Sequence, residues 1–204
     1  KAKGYKITTE LTFPKFWGLG TSSTLINNIA DWLNINAYDL LRKSFGGSGY
    51  DLACAQSNSP ILYQLVNDKP VVETIAFDPI FSDKIYFVYL NKKQSSKSAI
   101  ATYLQNHGDI SKTIKKIDAI TTTVINATEP KEFAVAIQKH EIEMSSILEQ
   151  QTVKEALFHD FDGVIKSLGA WGGDFVLTIS KTNPTSYFKN KGYGIVIPYE
   201  DMIL

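Results

Sequence analysis

Three glycine-bearing segments do most to limit what this chain can fold into: Gly18-Leu19-Gly20, Gly46-Gly47-Ser48-Gly49 and Gly169-Ala170-Trp171-Gly172-Gly173. Glycine enters the left-handed backbone region at little cost, so such runs punctuate a chain rather than continue its helices and strands. Each run adjoins hydrophobic patterning of a definite period, and that sets an order of elements. Residues 5–13 (YKITTELTF) alternate with the period of a strand, and Pro14 ends it. Thr21-Ser22-Ser23 suits a helix N-terminus, and Leu25, Ile29 and Leu33 then recur at helical spacing up to about Asn34. Asn36 stands where it would cap a second helix through Leu40, Leu41 and Phe45, which stops at the second glycine run. Residues 50–56 read as a helix and 60–66 (PILYQLV) as a strand.

Residues 67–84, with Pro70 and Pro79, are the expected junction, dividing the chain into lobes at 1–75 and 76–204. Beyond it, 84–91 (KIYFVYLN) reads as a buried strand. A polar loop over 92–97 leads to a helix carrying Ile100, Tyr103 and Leu104. Helices are expected over about 110–126, over 130–149 with Pro130 at the first position, and over 151–158. Strands over 164–168, 175–179 and 193–198, with a short helix near 184–189, complete an α+β chain of two lobes. The chain opens at Lys1 inside a strand-like run, so it is expected to be part of a longer protein.

Lys plus Arg number 21 and Asp plus Glu 21, so there is no basic excess of the kind a nucleic-acid binder carries. No stretch approaches the roughly 20 apolar residues of a membrane span. A lone cysteine, Cys54, rules out an internal disulfide framework and fits a reducing, cytoplasmic setting; three scattered histidines argue against a structural zinc site. There is no Walker loop, G-x-S-x-G elbow or H-E-x-x-H sequence. The helices between Ile110 and Leu148 leave monomer and homodimer both open.

Chemistry is concentrated at the glycine runs. At Gly18-Leu19-Gly20-Thr21-Ser22-Ser23, close backbone approach and free helix-start amides suit an anion; the plain alternative is a tight strand-to-helix turn. Asp51 follows Gly49-Tyr50 at a helix start, either as a proton acceptor for a substrate hydroxyl or as a helix-terminal carboxylate. The third run is either a ligand-facing loop or a wide turn. Lys92, Lys93 and Lys97 form an anion site or a solvated edge. Arg42, the one arginine, either reaches the cleft or pairs with Asp39 one turn earlier.

Taken together and in this order, the three segments resemble signatures of the GHMP kinases (galacto-, homoserine, mevalonate and phosphomevalonate kinases). Gly18 to Ser23 resembles the GLGSS loop, Gly47-Ser48-Gly49-Tyr50-Asp51 the segment around the catalytic aspartate, and Gly169 to Gly173 the GAGGGG signature. The words at Ser48 to Ala53 and Gly169 to Asp174 look closest to a bacterial branch sometimes called the GYDIA family. The resemblance implies an amino-terminal lobe like domain 2 of ribosomal protein S5, here incomplete and without the first signature, and a ferredoxin-like carboxy-terminal lobe. It implies ATP and Mg²⁺ as cofactors and a small-molecule substrate, with no nucleic acid or membrane partner. Gly18, Leu19, Gly20, Thr21, Ser22 and Ser23 would bind ATP, and Ser22 would also hold the metal. Asp51 would be catalytic. Ser48, Gly49, Gly169, Ala170, Gly172, Gly173 and Asp174 would lie on the substrate side. Leu40 stands where the family offers a magnesium-binding glutamate, and Trp171 replaces a glycine. The implied activity is phosphoryl transfer to a hydroxyl or phosphate of a mevalonate-pathway intermediate. The alternatives are a lyase like diphosphomevalonate decarboxylase and a non-catalytic nucleotide- or metabolite-binding relative.

Overall fold

The computed structural model describes residues 4–92, 110–169, 171 and 173–203. The first part is helical: α1 (Thr21–Leu33), α2 (Ala37–Ser44) and α3 (Tyr50–Ala55), then a hairpin of β1 (Ile61–Val66) and β2 (Lys69–Thr74). Local chemistry explains the boundaries. The Asn36 side chain accepts from the Asp39 N–H at 3.0 Å and starts α2. Asn34 ends α1 in the left-handed region, with its N–H bonded back to Ala30 and Asp31 carbonyls. Leu41, Ile26, Ala30, Ala37 and Leu52 form the small apolar cluster that holds the three helices together.

The second part begins with a short 3₁₀ turn at Ser82–Lys84. It continues with β3 (Ile85–Tyr89), α4 (Ser111–Asn126), α5 (Pro130–Leu148), α6 (Val153–Leu157), β4 (Val164–Ser167), β5 (Phe175–Ile179), α7 (Thr185–Asn190), β6 (Val196–Pro198) and α8 (Tyr199–Met202). Its four strands form one antiparallel sheet in the order β4-β5-β3-β6. Side chains alternate between two cores along the strands. Ile85 and Ile179 join Phe133 and Ile137 of α5, whereas Val88, Val176 and Ile165 join Phe158, Phe161 and Phe188. Pro130 opens α5, and Thr152 with Glu155 forms a reciprocal capping box that opens α6. Among the described residues no helix is long and apolar enough to cross a membrane.

Two expectations change. Residues 5–13 are not a strand: no strand among the described residues pairs with them, and Tyr5 and Ile7 are exposed. Alternation suits a pleated surface, but without a partner ladder the backbone stays with water. Tyr5 instead meets Trp32 of α1 edge-on, with ring centroids 5.2 Å apart. The junction also starts later than 67, because β2 occupies its first part. Asn67 and Asp68 both have positive φ and make the two-residue turn between Val66 and Lys69. The expected helix bearing Ile100, Tyr103 and Leu104, and the loop from Lys93 onward, lie outside the described residues.

Candidate functional site

The start of α1 and the start of α3 face each other across a cleft of about 430 Å³. Gly18, Gly20, Thr21, Ser22 and Ser23 line one wall; Gly46, Gly47, Ser48, Gly49, Tyr50 and Asp51 line the other; Leu41, Phe45 and Asp174 complete it. Gly20 is the N-cap of α1 at φ 69°, so no side chain caps the helix and its first-turn amides are left for a ligand or water. The opposite loop is held from behind. The Tyr63 hydroxyl donates to the Ser48 carbonyl, and a Cβ at Gly49 would lie 2.9 Å from Tyr38 Cε1. With φ at 85°, Gly49 answers both a left-handed backbone and a close approach.

Asp51 stands in the first turn of α3. Its side chain is reached by solvent, yet the walls around it push its pKa up by desolvation. Tyr50 beside it is pushed up to about 12, by burial first and then by Cys54, and stays protonated. The Cys54 thiol is itself pushed up by burial, which keeps it from acting as a thiolate.

The second part of the molecule reaches this cleft through aromatic contacts and through Asp174. Trp17 packs edge-on against Phe175 at 5.4 Å, and the Tyr89 hydroxyl donates to the Phe16 carbonyl at 3.1 Å. Tyr89 and Phe175 are themselves cross-strand partners, so the glycine loop rests on the sheet through one aromatic group. Asp174, just before β5, is fixed on both sides of its Cα: its N–H donates to the Lys92 carbonyl at 2.6 Å and its carbonyl accepts from the Leu90 N–H at 2.8 Å. Its carboxylate fills the space over Gly18, where a Cβ would lie 2.4 Å from Asp174 Cγ.

Of the residues singled out in the sequence, Gly18, Gly20, Thr21, Ser22, Ser23, Ser48, Gly49, Asp51 and Asp174 share the cleft. Leu19, Gly169 and Gly173 do not line it, and Ala170 and Gly172 lie outside the described residues. Trp171 is buried and also absent from the lining. Arg42 pairs with Asp39 on the exposed face of α2 rather than entering the cleft. Leu41 and Phe45 were not anticipated as site residues; their i,i+4 spacing at the end of α2 is the signal that places both on one side.

The cleft's donors suit a hard cation that travels with phosphates: Ser22 and Ser23 hydroxyls and the Asp51 and Asp174 carboxylates supply oxygen only. Among the described residues lining it there is no lysine, arginine or histidine. Nor do the described residues hold a cluster of three or more His, Cys, Asp or Glu that would cage an ion by themselves.

No protein-family model and no curated protein matches the chain. Solved structures do. Phosphomevalonate kinase of Streptococcus pneumoniae, solved in complex with phosphomevalonate and AMPPNP, matches with a TM-score of 0.65 at 17% identity. That match covers 86% of this chain and 65% of the kinase. The Lin0012 protein of Listeria innocua matches with a TM-score of 0.58 at 15% identity, over 91% of this chain and 64% of that one. Mevalonate kinase of L. major, solved with R-mevalonate, gives 0.57 at 14% identity, over 85% and 60%. The mixed α+β fold is thus the one seen in the two GHMP kinases among them, and the chain spans 60–65% of the length of the three matched chains.

Proposed function

We propose that this protein is an ATP-dependent kinase of the GHMP type. It transfers the γ-phosphate to a hydroxyl or phosphate of a small metabolite, with mevalonate or phosphomevalonate as the acceptor class. The observation that carries this reading is the meeting, in one cleft, of the uncapped start of α1 and the Asp51 carboxylate. The fold likeness to two such kinases supports it.

In this reading the nucleotide lies between the lobes 1–75 and 76–204, with its phosphates on the amides of Gly18 to Ser23, Leu19 contributing through its backbone. Ser48 and Gly49 shape the acceptor side, and Gly169, Ala170, Gly172 and Gly173 are assigned to the substrate side by their resemblance to the third family signature. Mg²⁺, the usual companion of nucleotide phosphates, would be held by the Ser22 hydroxyl with the Asp174 carboxylate alongside, both of which line the cleft. Bound magnesium would neutralise the phosphate oxygens. With a hydroxyl acceptor, the oxygen attacks the γ-phosphorus, its proton passes to Asp51, and the bond to ADP breaks; an ionised phosphate acceptor attacks with no proton to transfer. Desolvation raises the basicity of Asp51, which favours that proton transfer.

The test is a screen of phosphate acceptors with ATP and Mg²⁺, run beside Asp51→Asn. Turnover should fall about 10²- to 10⁴-fold in the variant while MgATP affinity changes only a few-fold. Unchanged turnover would remove Asp51 from the reaction. Release of CO₂ together with phosphate would move the reading to a decarboxylase, and MgATP binding without turnover on any acceptor would favour a non-catalytic relative.

A further inference from the structure

Away from the cleft, buried ionisable groups concentrate where α5 meets β4. Glu141 is 2% exposed, and its carboxylate accepts twice from a single residue: from the Ser167 N–H at 3.0 Å and from the Ser167 hydroxyl at 2.9 Å. Lys166 turns its ammonium to the Ser167 carbonyl at 3.0 Å. Every polar group of Ser167 is therefore held by a charged side chain. Burial pushes the Glu141 pKa up and the Lys166 pKa down, and each charge opposes the other's shift. His140, next to Glu141, is held near 4, first by burial and then by Lys166, so it stays neutral and supplies no counter-charge.

Part of this has a plain structural cause. β4 is an edge strand, so the outward N–H of Ser167 has no neighbouring strand to pair with. A neutral acceptor would satisfy that N–H, whereas burying a carboxylate is costly unless it is fully hydrogen-bonded. The position of Ser167 accounts for the stronger grip. It is the last residue of β4; Leu168 then closes the hairpin by donating to the Phe175 carbonyl at 3.1 Å, and Gly169 follows at φ 61°. At the far end Asp174 is tied to Lys92 and Leu90. Both stems of the third glycine run are pinned, and the run ends with the Asp174 carboxylate against Gly18.

We infer that Glu141 is a positioning residue: together with Lys166 it locks Ser167, and through that stem it sets where Asp174 meets the Gly18 loop. Helix α5 thereby bears on a cleft that none of its own residues lines. The inference rests on the proposed nucleotide reading only for one of its two readouts.

The first readout is amide exchange in the ligand-free protein. Glu141→Gln should speed exchange at Leu168 and at residues 173–175 at least tenfold more than at β3, and unchanged rates there would overturn the inference. The second is MgATP titration of the wild type, Glu141→Gln, Asp174→Asn and the double variant. Glu141→Gln should weaken binding about tenfold by itself and less than about twofold in the Asp174→Asn background, because it acts through Asp174. A lowered Tm with unchanged affinity, or losses that simply add, would mark a merely structural carboxylate and overturn the inference. Should Glu141→Gln fail to fold, Ser167→Ala, which removes one of the two hydrogen bonds, is expected to give the same pattern at smaller amplitude. Should the wild type bind no MgATP, the nucleotide reading falls while the exchange experiment still decides this one.

Discussion

The two parts of the molecule bury their apolar residues differently. In residues 77–203 the sheet carries a core on each face, and Phe158 and Phe188 are fully buried. In residues 4–74 the cluster is made of Ile26, Ala30, Ala37, Leu41 and Leu52, while Trp32, Leu33, Ile35 and Phe45 stay exposed, as do Val71 and Val72 of the hairpin. The second part is held by long-range packing. The first relies far more on local devices: a cap at Asn36, left-handed glycines at 18, 20, 46, 47 and 49, and a two-residue turn at Asn67-Asp68. Both parts meet at the cleft, where the loosely covered part supplies amides and Asp51 and the well-packed part supplies Asp174.

That contrast can be broken most directly by core truncation. Phe188→Ala should cost about 3–5 kcal/mol, since a fully buried ring leaves a cavity in a dense core. Leu52 is also fully buried, but among smaller side chains, and Leu52→Ala is expected to cost about 2–3 kcal/mol. Urea denaturation of both variants decides, and equal losses would mean that the first part is packed as firmly as the second.

Local devices should matter next. Gly49→Ala must place a Cβ against Tyr38 in a left-handed backbone, and is expected to cost about 1–3 kcal/mol and to reduce ligand affinity in the cleft. Thermal unfolding with a binding assay checks both halves of that statement. Asn36→Ala, which strips the α2 cap, should cost about 0.5–2 kcal/mol. If exchange rates rise in α2 and α3 but not in β3 and β5, the two parts unfold separately, which sharpens the comparison.

The smallest effect has the opposite sign. Desolvation raises the Asp51 pKa in the folded protein, so its contribution to stability is most favourable below the ordinary carboxylate pKa and declines as pH rises through the folded value. Asp51→Asn should therefore be slightly more stable than the wild type at pH 7, with the gain vanishing near pH 3. Denaturation curves at the two pH values test this. A variant that is inactive yet more stable is the pattern of a carboxylate kept for chemistry rather than for the fold.

Features that act within a few residues were legible from the order of amino acids. Asn36 and Pro130 mark helix starts, Asn34 marks an end, and the glycines at 46, 47 and 49 force the turn that precedes Asp51. Each is a short-range steric or hydrogen-bonding preference, fully present in the local sequence. The alternation of residues 5–13 was equally visible and equally local, but a strand needs a partner, and none among the described residues pairs with it. Everything that depends on residues distant along the chain came from packing: Trp17 and Phe16 docked on Phe175 and Tyr89, Asp174 brought over Gly18, and Glu141 buried against Ser167. Such contacts exist because the sheet brings β3 and β5 side by side and presents their ends to one cleft, and no local periodicity encodes that meeting.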